Sequence, residues 1–302
     1  MLYISKVQDG LPLYKALGSD IRVKIIDTLL AENGINMNDL AGKLGISNGA
    51  LTSHIKKLEE CGMVTVSNDA EGHGNHKNCS VHVDKILIEL AAGGRSENIF
   101  HTSVKVGHYN ECRALPTCGL ASSDHIIGEV DDNRYFNHPD RFNADILWFT
   151  KGYVEYAVPN FIPFDKKIDS ITFTMELSSE APGINEQWPS DIYFYLNDVN
   201  IAMWTSPGDF GEVRGLFTPD WWFANWNQYG LLKMVEINHE GTFIDGLKVS
   251  DVKIDGFNLN SRSNIKLKIA VPDNAANIGG LTIFGRSFGN YNQDIDIDIG
   301  YR

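Results

Sequence analysis

The first group of side chains suited to chemistry lies between residues 40 and 58. Its basic members are Lys43, Lys56 and Lys57, with His54 beside them, and the segment contains no aspartate or glutamate. The whole chain carries a formal net charge of −13. Because the field near a surface follows the nearest charges, this segment can attract phosphate although the chain is acidic.

A helix over residues 48–61 would separate these polar groups from an apolar face. Leu51, Ile55 and Leu58 recur at helical spacing, which turns small, polar and basic side chains to the opposite side. Small residues let a helix approach the DNA major groove, and hydroxyl, amide and ammonium groups bond to bases and phosphates. An ordinary solvent-facing helix is the alternative. The predicted DNA-binding residues are Ser47, Asn48, Gly49, Thr52, Ser53, His54, Lys56, Lys57, His76 and Lys77.

Two parts of this surface have more than one interpretation. His54 lies at the boundary between two helix faces, where it either reaches a phosphate or packs between helices. His73, His76 and Lys77 lie on a segment rich in Gly, His and Asn. That segment either contacts a neighbouring minor groove or is an exposed hairpin tip.

A second group of side chains combines tryptophans with carboxylates and amides. It occupies four turn-rich segments, residues 178–191, 203–215, 218–230 and 288–294. A sugar ring has apolar C–H faces that stack on aromatic rings, and hydroxyl groups that need paired donors and acceptors. We therefore predict a small-ligand site, with carbohydrate as the ligand class. The predicted stacking residues are Trp188, Trp204, Trp222 and Trp226, and the predicted polar contacts are Glu180, Asp191, Asp209, Arg214, Asn290 and Gln293.

Other uses of this second group remain open. Tryptophans beside Gly and Pro also stabilise sandwich loops without any ligand. Two carboxylates could instead form a glycoside hydrolase pair, drawn from Glu155, Glu180, Glu186, Asp191 and Asp209. The sequence contains no nucleophile elbow, zinc-protease helix motif or phosphate loop. We therefore expect a binding function, with neither enzymatic activity nor a cofactor.

The remaining candidate metal ligands are His108, Cys112 and Cys118. The spacing of the two cysteines is unusual for zinc, and a fourth ligand is not evident. We expect no metal there. Four cysteines in 302 residues also suit reduced thiols better than a disulfide scaffold.

The elements that position the basic helix can be read from the first 90 residues. Apolar positions between Ile21 and Leu30 predict a helix that begins after Ser19. A second helix is predicted over residues 38–44, with Gly45 at its C-cap and Ser47 capping the next helix. Strands over 63–66 and 80–83 would enclose the hairpin tip. Helix, turn, helix and hairpin predict a winged helix.

These residues resemble the arsenical-resistance repressor (ArsR-type) winged-helix family over roughly residues 10–90. The most specific pattern is S-x-x-A-L-x-x-H-x-x-x-L-x-x-x-G, which begins at Ser47 and ends at Gly62. The resemblance implies a homodimer that places one recognition helix in each half of a palindromic DNA operator. Many members sense metals through a cysteine pair on the preceding helix. The corresponding segment here, INMNDLAGKL, has no cysteine, so that metal site is missing.

Beyond Leu90 the pattern changes to short apolar runs separated by Gly, Pro and Asn, and all six tryptophans lie there. Such runs predict an all-β antiparallel sandwich of the jelly-roll type. The predicted strands are Ile171–Leu177, Asp191–Leu196, Leu232–Ile237, Val249–Ile254, Ile265–Val271, Leu281–Phe284 and Asp294–Ile299.

The chain is therefore predicted to be multi-domain, with an α+β winged helix-turn-helix over residues 1–92 and the sandwich over 93–302. Residues 1–90 carry 9 basic and 11 acidic side chains, against 17 and 28 in the rest, so most of the negative charge lies in the sandwich. No apolar run approaches the roughly 20 residues of a membrane helix, and we expect a cytoplasmic protein. The predicted function is a DNA-binding transcriptional regulator whose operator affinity responds to a small ligand. A β domain that serves only dimerisation is the alternative.

Overall fold

The computed structural model contains two compact units, Met1–Ala92 and Gly93–Arg302. The residues that the structure describes are 2–4, 7–32, 34–68, 77–81, 83, 85–88 and 98–302.

The first unit combines four helices with short strands among its described residues. Strands β2, β4 and β3 form an antiparallel sheet in that order, while β1 and β5 pair in parallel. A short 3-10 helix, Val7–Gly10, precedes the first α-helix. The elements are β1 (Leu2–Ile4), α1 (Leu11–Leu17), α2 (Asp20–Ala31), β2 (Ile35–Asn36), α3 (Met37–Leu44), α4 (Asn48–Glu60), β3 (Thr65–Asn68), β4 (Lys77–Ser80) and β5 (Ile86–Ile88).

One apolar core joins the helices of this unit. Leu29 of α2, Leu40 of α3, and Leu51 and Leu58 of α4 are fully buried. These are the helical repeats of the sequence, which each helix turns inward so that its apolar stripe leaves water. The predicted helices are therefore present, with bounds that differ by one or two residues.

The hairpin differs from the prediction in register. Its second strand is Lys77–Ser80 rather than residues 80–83. The reason is Cys79, which pairs with Ile35 on one side and Val66 on the other and is fully buried. Cys79 thus supplies an inward-facing apolar position that lies just before the strand predicted over residues 80–83.

The second unit is an antiparallel β-sandwich, as predicted. Three 3-10 helices lie in its connections, at Asn133–Asn137, Pro139–Asn143 and Ile254–Phe257. Its strands are β6 (Asn98–Val104), β7 (Glu111–Ala121), β8 (Ile146–Val158), β9 (Ile168–Ser178), β10 (Ser190–Leu196), β11 (Val199–Ser206), β12 (Leu231–Ile237), β13 (Thr242–Ile244), β14 (Leu247–Ser250), β15 (Ile265–Val271), β16 (Leu281–Phe284) and β17 (Ile295–Tyr301).

Two layers enclose the main core of the sandwich. One layer runs β11-β10-β15-β8-β7, and the other runs β6-β17-β9-β12-β13-β14. Strand β16 pairs with both β8 and β9 and so joins the layers. Alternation fills the space between them: Ile265, Leu267 and Ile269 of β15 are buried, whereas the intervening lysines face outward.

In strand β8, the alternating set of side chains that faces the main core changes at Gly152. Leu147 and Phe149 point into that core before Gly152, and Val154 and Tyr156 do so after it. Gly152 has a φ of 127°, and a Cβ there would lie 1.6 Å from a backbone oxygen of β7. Only glycine fits this irregularity, which explains why simple alternation did not reveal β8.

A smaller core lies apart from the main one, and we call it the loop core. Its members come from β7, β8, β16 and two connecting loops. They are Ala121, Ile146, Trp148, Trp222, Phe284 and Phe288.

The sequence interpretation also placed one strand wrongly and missed several. The predicted strand over 249–254 is corrected, because β14 ends at Ser250 and Ile254 begins a 3-10 helix. Ile254 is nevertheless buried, so its apolar character reflected packing rather than a strand. The strands that were not predicted are β1, β2 and β5 in the first unit and β6, β7, β8, β11 and β13 in the second.

Candidate functional site

The turn between α3 and α4 fixes the direction of the basic helix. Gly45 ends α3 with a φ of 66°, a left-handed conformation that glycine adopts without strain. The Ser47 hydroxyl then accepts a hydrogen bond from the Ala50 backbone N–H and caps α4. Both caps were predicted from the sequence, and together they let one helix follow the other after three residues.

The outer face of α4 carries the predicted DNA-binding side chains. All are exposed except His54, which is half-buried. The Asn48 amide donates to Asn38 Oδ1 at 2.8 Å, and the Thr52 hydroxyl donates to the Asn48 carbonyl at 2.8 Å. Lys56 and Lys57 form no ion pair with any described residue, so both charges are available to a phosphate.

His54 is turned partly toward the interior of the unit. Its Nδ1 is buried and has no hydrogen-bond partner among the described residues. Burial lowers the pKa of His54, and the positive charges of Arg22 and Lys57 lower it further. A neutral, half-buried imidazole favours packing between helices over a phosphate contact.

The predicted wing contacts are only partly within the described residues. His73 and His76 lie outside them, whereas Lys77 begins β4 with an exposed side chain. Of the predicted wing residues, Lys77 alone is therefore described, and it pairs with Asn68 where the two strands meet the hairpin tip.

In the second unit, three of the predicted ligand residues line one cavity of about 140 Å³. These are Glu180, Asp209 and Trp226. The structure adds Thr117, Trp148 and Asn227 to the cavity lining. Thr117 lies in β7 and Trp148 in β8, which were not predicted as strands, and Asn227 directly follows Trp226. The exposed residues of the lining are Val130, Asp131, Pro182 and Gly183.

The Glu180 carboxyl group is held by three side chains. Its Oε2 accepts hydrogen bonds from the Asn227 amide and the Thr282 hydroxyl, both at 3.1 Å, and its Oε1 accepts one from Thr117 at 3.4 Å. Burial raises the pKa of Glu180 well above its ordinary value, and the nearby charge of Asp209 raises it further. Both effects favour the protonated form, which can donate as well as accept.

The Asp209 carboxyl group has one satisfied and one unsatisfied oxygen. Oδ2 accepts from the Ala181 backbone N–H at 3.0 Å, whereas Oδ1 is buried without a partner among the described residues. Asp209 is only 1% exposed, and burial raises its pKa to about 7. A buried polar atom without a partner costs free energy, so Oδ1 is a strong candidate to meet a ligand hydroxyl.

Two tryptophans form the aromatic side of the cavity. Trp148 and Trp226 have ring centroids 5.9 Å apart, with planes inclined at 63°. Trp222 does not belong to this wall and the prediction for it is wrong, because it is 1% exposed and packs against Phe288 in the loop core. Its Nε1 donates to the Asn227 carbonyl at 2.8 Å, so Trp222 supports the cavity from behind.

The other predicted polar residues do not line the cavity, and their assignments are corrected. Asp191 accepts from Asn277 and Thr205. Arg214 donates to the Pro219 carbonyl. Asn290 accepts from the Leu216 backbone N–H, and Gln293 donates to the Thr174 carbonyl. Each of these four side chains holds a loop or a strand end in place. This is the structural role that sandwich-loop residues have when no ligand is bound.

Two predicted tryptophans also lie away from the cavity. Trp204 packs against the main core, with the Lys233 ammonium group 4.7 Å above its ring. Trp188 is half-buried, and its Nε1 has no partner among the described residues. Neither ring belongs to the site formed by Glu180, Asp209 and Trp226.

No group of three or more histidines, cysteines or carboxylates in the described part of the chain is arranged to hold a metal ion. All four cysteines are free thiols. Among the described residues, no helix combines the length and apolar character needed to cross a membrane.

Comparison with known proteins identifies the first unit. Residues 19–65 match the winged helix-turn-helix DNA-binding family, so this unit contains a winged helix-turn-helix DNA-binding domain. An uncharacterized protein of Methanocaldococcus jannaschii is 44% identical over 50 residues, which are 17% of this chain. The match spans 54% of that protein's length, so about half of the relative has a counterpart here.

Two solved structures are similar to parts of the chain. NolR from Sinorhizobium fredii is 29% identical, with a TM-score of 0.22 and coverage of 24% of this chain and 68% of NolR. The carbohydrate-binding module CBM36, solved with calcium and xylotriose, is 8% identical, with a TM-score of 0.29 and coverage of 67% of this chain and 99% of the module.

Proposed function

We propose that the chain is a transcriptional regulator that binds a palindromic operator as a homodimer and responds to a neutral sugar. The family match to residues 19–65 supports the DNA-binding part. The observation that carries the sensing part is the cavity of the second unit, where Asp209 presents an unpartnered oxygen beside Trp226. An aromatic wall and unsatisfied polar groups are the two features that a sugar ring requires.

The size of the cavity limits the ligand. Its volume of about 140 Å³ lies below the roughly 300–1,000 Å³ of sites for drug-sized molecules. It is close to the roughly 150 Å³ of an engineered cavity that accepts benzene. Because a sugar ring with its hydroxyl groups is larger than benzene, the cavity takes at most one sugar unit, either a free sugar or the end of an oligosaccharide, with part of it outside the cavity at the exposed residues of the lining.

The protonation of the cavity favours a neutral ligand. Burial raises the pKa of both Glu180 and Asp209. A protonated carboxyl group offers one donor and remaining acceptor sites, which match the mixed donor and acceptor character of sugar hydroxyls. An anionic ligand would meet no positive side chain in this lining, and burial of Glu180 and Asp209 disfavours the ionised form that a cation bound between them would need.

A glycoside hydrolase would use the same two residues differently. It needs one protonated carboxylic acid and one ionised carboxylate at neutral pH. Here burial raises both pKa values, and the cavity lining holds no positive side chain that would keep Asp209 ionised as the second carboxylate. The cavity therefore supports ligand binding over hydrolysis.

Binding would act on the operator through the dimer. A ligand shifts an equilibrium between two forms only by its difference in affinity for them. A difference of about 1–3 kcal/mol changes operator affinity roughly 5- to 150-fold. We propose that sugar binding changes the spacing of the two recognition helices relative to successive major grooves.

The experiment starts from the full chain and a random pool of double-stranded DNA, from which bound sequences are selected. The affinity for the selected operator is then measured with and without glucose, galactose, mannose, xylose and arabinose. At least one sugar should change the affinity within the range given above, and Trp226→Ala should abolish the change while DNA binding persists. Asp209→Asn, which changes the carboxyl group with the unpartnered oxygen, is tested in the same way, and the exposed Asp220→Asn is its matched control.

Two results would contradict the proposal. Failure to select any DNA sequence would remove the regulator function altogether. Retained operator binding that no sugar alters would leave the second unit with a dimerisation role only.

A further inference from the structure

A second concave surface lies on the outward side of β8, β10 and β15. It is a groove of about 510 Å³ whose lining includes Tyr153, Tyr195 and Ala270. We call it the tyrosine groove. It differs from the cavity around Asp209 in every lining residue, although both draw on β7 and β8.

The strand register sets aromatic rings in an ordered array at the tyrosine groove, with Tyr153 and Tyr195 in its lining and Tyr193 beside it. Tyr193 of β10, Ala270 of β15 and Tyr153 of β8 are consecutive partners across the three strands. Two interstrand spacings separate the outer pair, which is roughly 10 Å. The small Ala270 side chain lies between them and forms a low floor. Tyr195 lies beside Tyr193, with ring centroids 6.5 Å apart and planes inclined at 28°.

The outward position of these tyrosines follows from alternation in β10. Ile192, Phe194 and Leu196 fill the main core, which turns Tyr193 and Tyr195 to the opposite side, where both are half-buried. Large aromatic rings on an outer sheet face are not needed to fill a core. They leave flat apolar surface in contact with water, which marks a binding surface.

The charged side chains around the tyrosine groove compensate one another. Lys268 pairs with Asp198 at 2.6 Å and with Glu155 at 3.2 Å, and Arg113 pairs with Asp273 at 3.4 Å. The groove lining holds two basic side chains, Arg113 and Lys268, and two acidic ones, Asp198 and Asp273, although the chain as a whole carries −13. Beside the lining, Lys151 pairs with Asp273, and Lys266 pairs with Glu155.

We propose that the tyrosine groove binds a neutral oligosaccharide, stacked on the tyrosines and hydrogen-bonded to the charged side chains along its edges. This inference does not rest on the cavity around Asp209 or on operator binding. The volume lies within the roughly 300–1,000 Å³ of typical ligand sites, and the array is longer than one sugar ring. Balanced charge favours a neutral partner over nucleic acid, which would need unpaired cations. Paired charges offer the donors and acceptors that hydroxyl groups need.

The test is native gel electrophoresis of the full chain in gels that contain hydroxyethylcellulose, galactomannan, arabinoxylan or amylopectin. At least one of these neutral glycans should retard the wild-type chain. The double variant Tyr153→Ala, Tyr195→Ala should bind the glycan at least about tenfold more weakly, because it loses the two aromatic rings of the groove lining. The matched variant Tyr153→Phe, Tyr195→Phe keeps the rings and should remain retarded. Unchanged thermal unfolding would establish that both double variants fold.

Other outcomes overturn the inference. It fails if none of the four glycans retards the wild type, or if the alanine variant is retarded equally. It also fails if the alanine variant changes the sedimentation coefficient and no glycan binds, because the groove would then join copies of this chain. Retardation that Asp209→Asn or Trp226→Ala abolishes, and that the alanine double variant keeps, would assign glycan binding to the cavity around Asp209 and overturn this inference, so the two proposals are distinguishable.

Discussion

Glu180 and Asp209 carry two carboxyl groups into one cavity of the β-sandwich, where the charge of Asp209 adds to burial in raising the pKa of Glu180. Glu180 is bonded by three side chains, whereas one oxygen of Asp209 has no partner among the described residues. The pair therefore has one member fixed by the protein and one free to meet a ligand.

Asp209→Asn should change how the stability of the sandwich depends on pH. The folded-state pKa of about 7 lies above the roughly 3.9 of an unfolded aspartate. Between these values the folded state holds a proton that the unfolded state releases, so the contribution of Asp209 to wild-type stability is greatest below about pH 4 and falls until pH 7. The variant lacks this loss and should be more stable than wild type at pH 8 by about 1–4 kcal/mol.

Urea unfolding at pH 4, 6 and 8 measures this effect. All six tryptophans lie beyond residue 90, so their fluorescence reports the sandwich alone. Asp220→Asn changes an exposed carboxylate and should follow the wild-type profile. Parallel profiles for Asp209→Asn and wild type would contradict the role of the buried Asp209 carboxyl group.

Trp222→Ala and Trp226→Ala should separate packing from ligand binding. Trp222 is fully buried in the loop core, so truncation should cost about 3–5 kcal/mol of unfolding free energy. Trp226 is half-buried at the cavity, so Trp226→Ala should lower the unfolding free energy by less than this. The same variant should remove the sugar response. Urea unfolding and sugar titration of both variants measure the two effects. Equal destabilisation would mean that Trp226 also serves mainly in packing.

Replacing Lys56 and Lys57 by alanine should weaken DNA binding at every sequence. Both side chains are exposed on α4 and form no ion pair with a described residue. Losing two phosphate contacts should reduce the slope of log affinity against log salt by about 2. Lys253→Ala, an exposed lysine of the sandwich, is the control. A salt slope equal to that of wild type would mean that the phosphate contacts are made by residues other than Lys56 and Lys57.

Thr52→Ala and Ser53→Ala should instead alter which bases are preferred. Both side chains lie on the exposed face of α4. The Thr52 hydroxyl donates within the helix to Asn48, which leaves its oxygen lone pairs available as acceptors. The expected change is about 1–3 kcal/mol at one or two positions, measured against operators with single base changes. Uniform weakening at all positions, as expected for Lys56→Ala, would exclude base contact.

The sequence by itself determined the first unit and the class of the second. The spacing of Leu51, Ile55 and Leu58 predicted α4 and its polar face, and Gly45 and Ser47 marked the helix ends. These signals are local, because a helix and its caps depend on residues a few positions apart. Alternation in β9 and β15 likewise predicted a sandwich, since period two in the sequence reflects one buried side of a strand.

Only the tertiary structure decided which polar and aromatic residues share a site. Glu180, Asp209 and Trp226 come together with Trp148, which is distant in sequence, while Trp222 turns away into the loop core. Sequence composition treats neighbouring tryptophans alike, but the fold buries one and leaves the other beside a cavity. The tyrosine groove was not predicted for the same reason: Tyr153 and Tyr195 line one groove only through the pairing of β8, β15 and β10. That pairing depends on contacts between residues far apart in the chain, which no local pattern encodes.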